Sequence, residues 1–114
     1  MNIESVSFSD KPHPWIGRYV IIRTYASGVH VGYLEDYCFK TCHIFLKNSR
    51  RIWYWEGAFT LHKVSEDGVK EAKLSIVKDE FMCAQVEEII PVSSKAKEQL
   101  ENMKAHNPEE ELYD

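Results

Sequence analysis

Tyr19-Val20-Ile21-Ile22-Arg23-Thr24-Tyr25-Ala26-Ser27-Gly28-Val29-His30-Val31-Gly32-Tyr33-Leu34 is the stretch that sets the fold. In an extended chain Val20, Ile22 and Thr24 share one face, and Tyr19, Ile21, Arg23 and Tyr25 share the other. β-Branched and aromatic side chains dominate, as strands favour. A first strand is therefore expected over residues 16–25. Ala26-Ser27-Gly28 reads as a tight turn, with Gly28 free to take a positive φ. Alternation resumes over residues 29–34 and completes a hairpin. Gly32 inside the second strand marks a bend or a bulge.

Upstream, residues 1–14 lack periodicity, and the prolines of Lys11-Pro12-His13-Pro14 oppose helix. They are expected to form a loose N-terminal arm anchored by Trp15. Downstream, Glu35-Asp36-Tyr37 reads as a turn, residues 39–47 as a third strand, Asn48-Ser49 as another turn and residues 50–55 as a fourth strand. Gly57 breaks that pattern. Ala58, Leu61 and Val64 then recur at helical spacing through Asp67, with Gly68 placed as a C-terminal cap. Leu74-Ser75-Ile76-Val77 reads as a short strand, Lys78-Asp79-Glu80 as a turn and residues 81–92 as a last strand in two segments. Ser93 or Ser94 is a good N-cap for a helix reaching about His106, with Ala96, Leu100 and Met103 on its apolar stripe. The expected class is α+β: a small bent antiparallel β-sheet, or a barrel of the SH3 or Sm type, with one short helix and a C-terminal helix. Residues 15–106 form a single domain on this reading, and residues 107–114 form a disordered acidic tail.

At 114 residues, 44% hydrophobic and 28% charged, the composition is that of one ordinary globular domain. No apolar run approaches the ~18 residues of a membrane span, and Met1-Asn2-Ile3-Glu4-Ser5 has no secretory character. A cytoplasmic location is expected. The net charge of −4 argues against a general nucleic-acid binder. Glu109, Glu110, Glu111 and Asp114 account for that excess; without them 14 acidic side chains face 14 basic ones, which leaves room for a local basic patch. Three cysteines, Cys38, Cys42 and Cys83, are an odd number that suits reduced thiols.

The chemistry concentrates in Ser49-Arg50-Arg51-Ile52-Trp53-Tyr54-Trp55-Glu56-Gly57-Ala58. Arginine presents a rigid fork of donors to phosphate or carboxylate. Tryptophan offers a face for stacking a base or anchoring a partner. The candidate ligand-binding set is Arg50, Arg51, Trp53 and Trp55, with Arg23 and His30 as neighbours and a small nucleotide-like anion as the ligand. The competing reading places the tryptophans in the core and pairs the arginines with Glu56 or Glu35. Extended-chain alternation divides the stretch, sending Arg51, Trp53 and Trp55 one way and Arg50, Ile52 and Tyr54 the other.

Other constellations are weaker. Cys38, Cys42 and His43, with Cys83 or His30, are zinc-ligand types, but C-x3-C-H is not a usual spacing and adjacent strand residues diverge. No metal or cofactor is expected. A cysteine with His43 or His62 lacks an orienting motif for catalysis, and Glu87-Glu88 cannot share one substrate from opposite faces; no enzymatic activity is expected. Tyr19, Tyr25, Tyr33, Tyr37, Phe39 and Phe45 exceed what one small core with three tryptophans buries, which points to homo-oligomerisation.

Residues 19–32 and 49–58 together resemble a family of small uncharacterised phage and prophage proteins, whose pattern runs VRTYSAGVxxG, then ARRIWYWxGA, then a short helix region and EIIPxS. The last segment is Glu88-Ile89-Ile90-Pro91-Val92-Ser93 here. The likeness covers roughly residues 16–100; Ser49 stands where the pattern has alanine, and the stretch carrying Cys38 and Cys42 is longer. It implies a phage-type accessory protein that acts on a host factor, including in counter-defence. Alternatives are a protein–protein interaction module that inhibits a host enzyme, through the aromatic face or the acidic tail, and an Sm-like RNA-binding barrel.

Overall fold

The computed structural model of the chain describes residues 12–109. Most of the expected N-terminal arm (residues 1–11) and all but the start of the acidic tail (residues 110–114) lie outside them. Within them the order is β1 (Tyr19–Thr24), β2 (Gly28–Cys38), β3 (His43–Glu56), α1 (Leu61–Asp67), β4 (Glu71–Leu74), β5 (Lys78–Cys83), β6 (Val86–Pro91) and α2 (Ser94–Asn102). The class is α+β, as the residue pattern implies.

The hairpin of β1 and β2 forms as expected, with Thr24 opposite Gly28 and Tyr19 opposite Tyr33, and Gly28 takes φ +82°. Beyond it the next two expected turns are absent. Glu35-Asp36-Tyr37 stays in β2, which pairs with β3 as far as Cys38 opposite His43. The chain reverses at residues 39–42 instead, closed by the Cys42 N–H donating to the Cys38 carbonyl at 2.8 Å. Asn48-Ser49 is not a turn either: the third and fourth expected strands are one continuous β3 of 14 residues. Asn48 takes φ +50°, and the β2–β3 register slips between Val31 and Tyr33, facing it. The turn-forming residue has made a bulge. Gly32 is its counterpart: a Cβ there would lie 3.1 Å from both the Lys47 carbonyl oxygen and the Ser49 Cα.

The sheet is antiparallel throughout, in the order β4-β3-β2-β1-β6, with β5 also pairing β3. β4 takes the end of β3 at Ile52–Glu56, and β5 takes the stretch at Ile44–Ser49. Lys78-Asp79-Glu80 thus belongs to a strand rather than a turn, and residues 75–77 are the link.

Both faces of the sheet are apolar. On one, Tyr19, Ile21, Val31 and Ile52 pack with Val64 of α1 and with Ala96 and Leu100 of α2. On the other, Val20, Ile22, Leu34, Ile44 and Leu46 pack with Cys83 and Val86. Val86 belongs to one edge strand and Cys83 to the opposite edge, so the sheet must bend to bring them together. A two-residue link from β5 to β6 through Gln85 (φ +56°) ties the edges, and the Val86 N–H donates to the Cys42 carbonyl at 3.1 Å. β5 and β6 share no ladder. The expected SH3- or Sm-type barrel is therefore not closed; the molecule is a bent open sheet whose second face is folded over its own core.

Both helices start at hydroxyl caps. The Thr60 side chain accepts from the Lys63 N–H and the Ser93 side chain from the Ala96 N–H, each satisfying an otherwise orphaned donor. Gly68 ends α1 at φ +80°, in its expected role. The C-terminal helix stops at Asn102, short of His106. Gln99 clasps the end of α1 to α2, donating to the Val69 carbonyl at 2.6 Å and accepting from the Val69 N–H at 2.8 Å.

Candidate functional site

Arg50 and Arg51 are adjacent on β3 and point to opposite faces of the sheet. Arg50 pairs with Val31 on the helix side and is only 3% exposed. Its Nε donates to the Ser75 carbonyl at 2.9 Å. Its Nη1 donates to the carbonyls of Leu100 at 2.8 Å and Met103 at 2.6 Å. Those carbonyls lie in the last turn and cap of α2, where a helix leaves its C=O groups without partners and carries partial negative charge. Arg50 is thus the C-terminal cap of α2. Burial holds its pKa below the ordinary arginine value. The structure corrects the expectation that Arg50 faces a ligand.

Arg51 is exposed on the opposite face, directly across from His30 of β2. Its backbone N–H donates to the Ser75 hydroxyl at 2.9 Å, which fixes the link after β4 beside it. Around the side chain runs an open cleft of about 250 Å³ lined by His30, Ser49, Arg51, Ser75, Lys78 and Phe81. No lining residue is acidic, and two, Arg51 and Lys78, are basic. Lys78 arrives because β5 pairs Lys78 with Ser49. A second cleft of about 420 Å³ shares Arg51 as a wall and is bordered by Trp53, Trp55, Val29 and the turn at Ser27-Gly28.

His30 forms the floor. It is buried, its ring lies 4.7 Å from that of Phe81, and its Nε2 is 3.2 Å from the Ser27 hydroxyl. Burial first, then the neighbouring Arg51 charge, lower its pKa to about 4, so it is neutral at physiological pH. Ser27 in turn contacts the Thr24 hydroxyl at 2.7 Å and the Cys83 thiol at 3.2 Å. This knot braces the β1–β2 turn beneath the cleft.

The tryptophans divide. Trp53 is 51% exposed, its ring edge-on to His106 at 5.7 Å. Trp55 is half-buried against the helix-side core, and its Nε1 donates to the Ala58 carbonyl at 3.1 Å. Alternation placed both on one face; the β3–β4 register slips between Ile52 and Tyr54, and after that slip the parity changes. Arg23 does not join the cluster. Its Nε donates to Glu88 at 2.8 Å, with Glu87 at 3.5 Å, so it staples β1 to β6. Of the six expected site residues, Arg51, His30, Trp53 and Trp55 border the two clefts, while Arg50 and Arg23 are engaged elsewhere.

Lys78, Ser49, Ser75 and Phe81 were missed as candidate site residues. Ser49 was read as a turn but lies on β3 two residues before Arg51. Ser75 reaches Arg51 through the pairing of β4 with β3, and Lys78 and Phe81 through the pairing of β5 with β3. Among the described residues no three His, Cys, Asp or Glu side chains converge to hold a metal ion. Cys83, expected as an optional zinc partner of Cys38, Cys42 and His43, pairs with Ile44 and packs into the sheet core.

The sequence profile of a family described as a domain of unknown function (DUF6948) matches residues 17–100. No curated protein and no solved structure matches the chain.

Proposed function

The chain belongs to the family described as domain of unknown function DUF6948, and from that footing we propose that it is a non-enzymatic binding protein for a small nucleotide-like anion held at Arg51. The observation that carries the reading is the cleft that gathers Arg51 and Lys78 beside Ser49 with no acidic wall. A guanidinium fork and an ammonium suit phosphate oxygens. His30, neutral and packed on Phe81, adds a flat uncharged floor. The phage-type, counter-defence setting rests on the likeness of residues 19–32 and 49–58 to the phage motifs; there the protein would capture a host signal molecule in the cytoplasm. No helix among the described residues is long and apolar enough to span a membrane.

Isothermal titration against a panel of mono-, di- and cyclic nucleotides tests this. At least one should give heat, and Arg51→Ala should weaken it at least tenfold while leaving the melting temperature within a few degrees. A panel without heat in the unmodified protein removes the proposal.

A second reading is favoured by a separate surface. Phe45 and Met82 lie opposite each other on β3 and β5 and are 47% and 51% exposed. An apolar pair open to water on a sheet face suits a protein partner, either a second copy or a host enzyme. Phe45→Lys would abolish activity on this reading and leave it intact on the first.

A further inference from the structure

The two clefts around Arg51 are not independent. We infer, resting on the anion-binding reading above, that they form one bipartite site for a nucleoside phosphate, with the phosphate between Arg51 and Lys78 and the base against Trp53. Three observations converge. Arg51 is a wall of both clefts. Lys78 is held opposite Ser49, two residues before Arg51, and Trp53 lies two residues after it. Two residues along a strand advance about 6.7 Å, so Lys78, Arg51 and Trp53 are ranked along β3 over roughly 13 Å, the span of a nucleoside with its phosphate.

The two ends differ in chemistry. The Lys78 end offers cations and the Ser49 side chain, the Ser75 hydroxyl already donating to the Ile76 carbonyl at 2.8 Å. The Trp53 end offers an exposed indole, the apolar Val29, and backbone at Ser27-Gly28 that can meet the polar edge of a base. Arg51 in the middle serves both, since its guanidinium binds phosphate oxygens and stacks on aromatic planes. A lone phosphate would use half the site, and a nucleoside without phosphate would forgo the cations.

The test compares inorganic phosphate, adenosine and adenosine 5′-monophosphate on the full chain, by isothermal titration and by quenching of tryptophan fluorescence. The monophosphate should bind tenfold or more tighter than phosphate, as one stacked base provides, and should quench fluorescence where phosphate does not. Trp53→Ala should remove that advantage and bring the monophosphate to the affinity of phosphate. Lys78→Ala should weaken phosphate and the monophosphate by similar factors and leave adenosine unchanged. Equal affinities for phosphate and the monophosphate, or an advantage that survives Trp53→Ala, overturns the bipartite site while the anion site stands. Absence of binding by both phosphate and the monophosphate overturns the bipartite site, and the anion reading falls with it when the nucleotide panel is also without heat. Denaturation midpoints of both variants within a few degrees of the parent exclude loss of fold as the cause.

Discussion

At the scale of single residues, the adjacent arginines Arg50 and Arg51 lie on opposite faces of the sheet, one buried and one exposed, and mutation separates them. Arg50→Ala would strip partners from the carbonyls of Ser75, Leu100 and Met103 and leave a gap beneath α2. The expected cost is about 3–5 kcal/mol, the range for removing one member of a buried charged hydrogen-bonding set, measured by urea denaturation. Arg51→Ala removes an exposed side chain and should stay within about 0.5 kcal/mol. His30 gives a pH signature. Its pKa falls from 6.5 in the unfolded chain to about 4 when folded, so between those values the unfolded state binds the extra proton. Stability is therefore full above pH 6.5 and declines as pH falls toward 4, by on the order of 2–3 kcal/mol. Denaturation of His30→Phe against pH should show a shallower slope across that window, and an unchanged slope assigns the dependence to other groups.

At the scale of elements, bulges decide what the residue pattern could show. The β1–β2 hairpin, α1 with its Gly68 cap and the start of α2 at Ser93 were legible because each rests on neighbouring residues: alternation, a glycine at positive φ, a hydroxyl cap. Asn48-Ser49 was misread because the same preference of Asn for positive φ serves a turn or a bulge, and only the partner strand distinguishes them. Gly32 carried half of that answer, its missing Cβ making room for the bulge. Gly32→Ala should accordingly cost about 1–3 kcal/mol by pushing the strand against the Lys47 carbonyl, seen as a lower urea midpoint; an unchanged midpoint would mean the bulge yields freely. The slip at Trp53 likewise hid the separation of Trp53 from Trp55. Arg51 was legible as a candidate site residue from its neighbours, but Lys78 and Ser75 were not. The β5–β3 pairing that brings Lys78 spans about thirty residues of chain, the β4–β3 pairing that brings Ser75 spans more than twenty, and no local signal encodes either.

At the scale of the whole molecule, the bent sheet buries one face under the helices and folds the other over its own core, leaving a few large apolar groups outside. Phe59 is 99% exposed, Ile76 71%, and Phe45 and Met82 about half. Their number among the described residues keeps self-association as the expectation; light scattering behind a sizing column should give a mass above the 13.3 kDa of one chain, and Phe45→Lys should lower it. A monomeric mass across the micromolar range would assign that surface to another partner or to none. The central claim is that ligand binding belongs to the sheet face of Arg51 and not to the helix face of Arg50. Backbone and indole NMR shifts followed through a titration with a nucleoside monophosphate test it most directly. The account predicts perturbations at Arg51, Ser75, Lys78 and the Trp53 indole, with Leu100 and Met103 unmoved; perturbations centred on Arg50, Leu100 and Met103, or none anywhere, would contradict it.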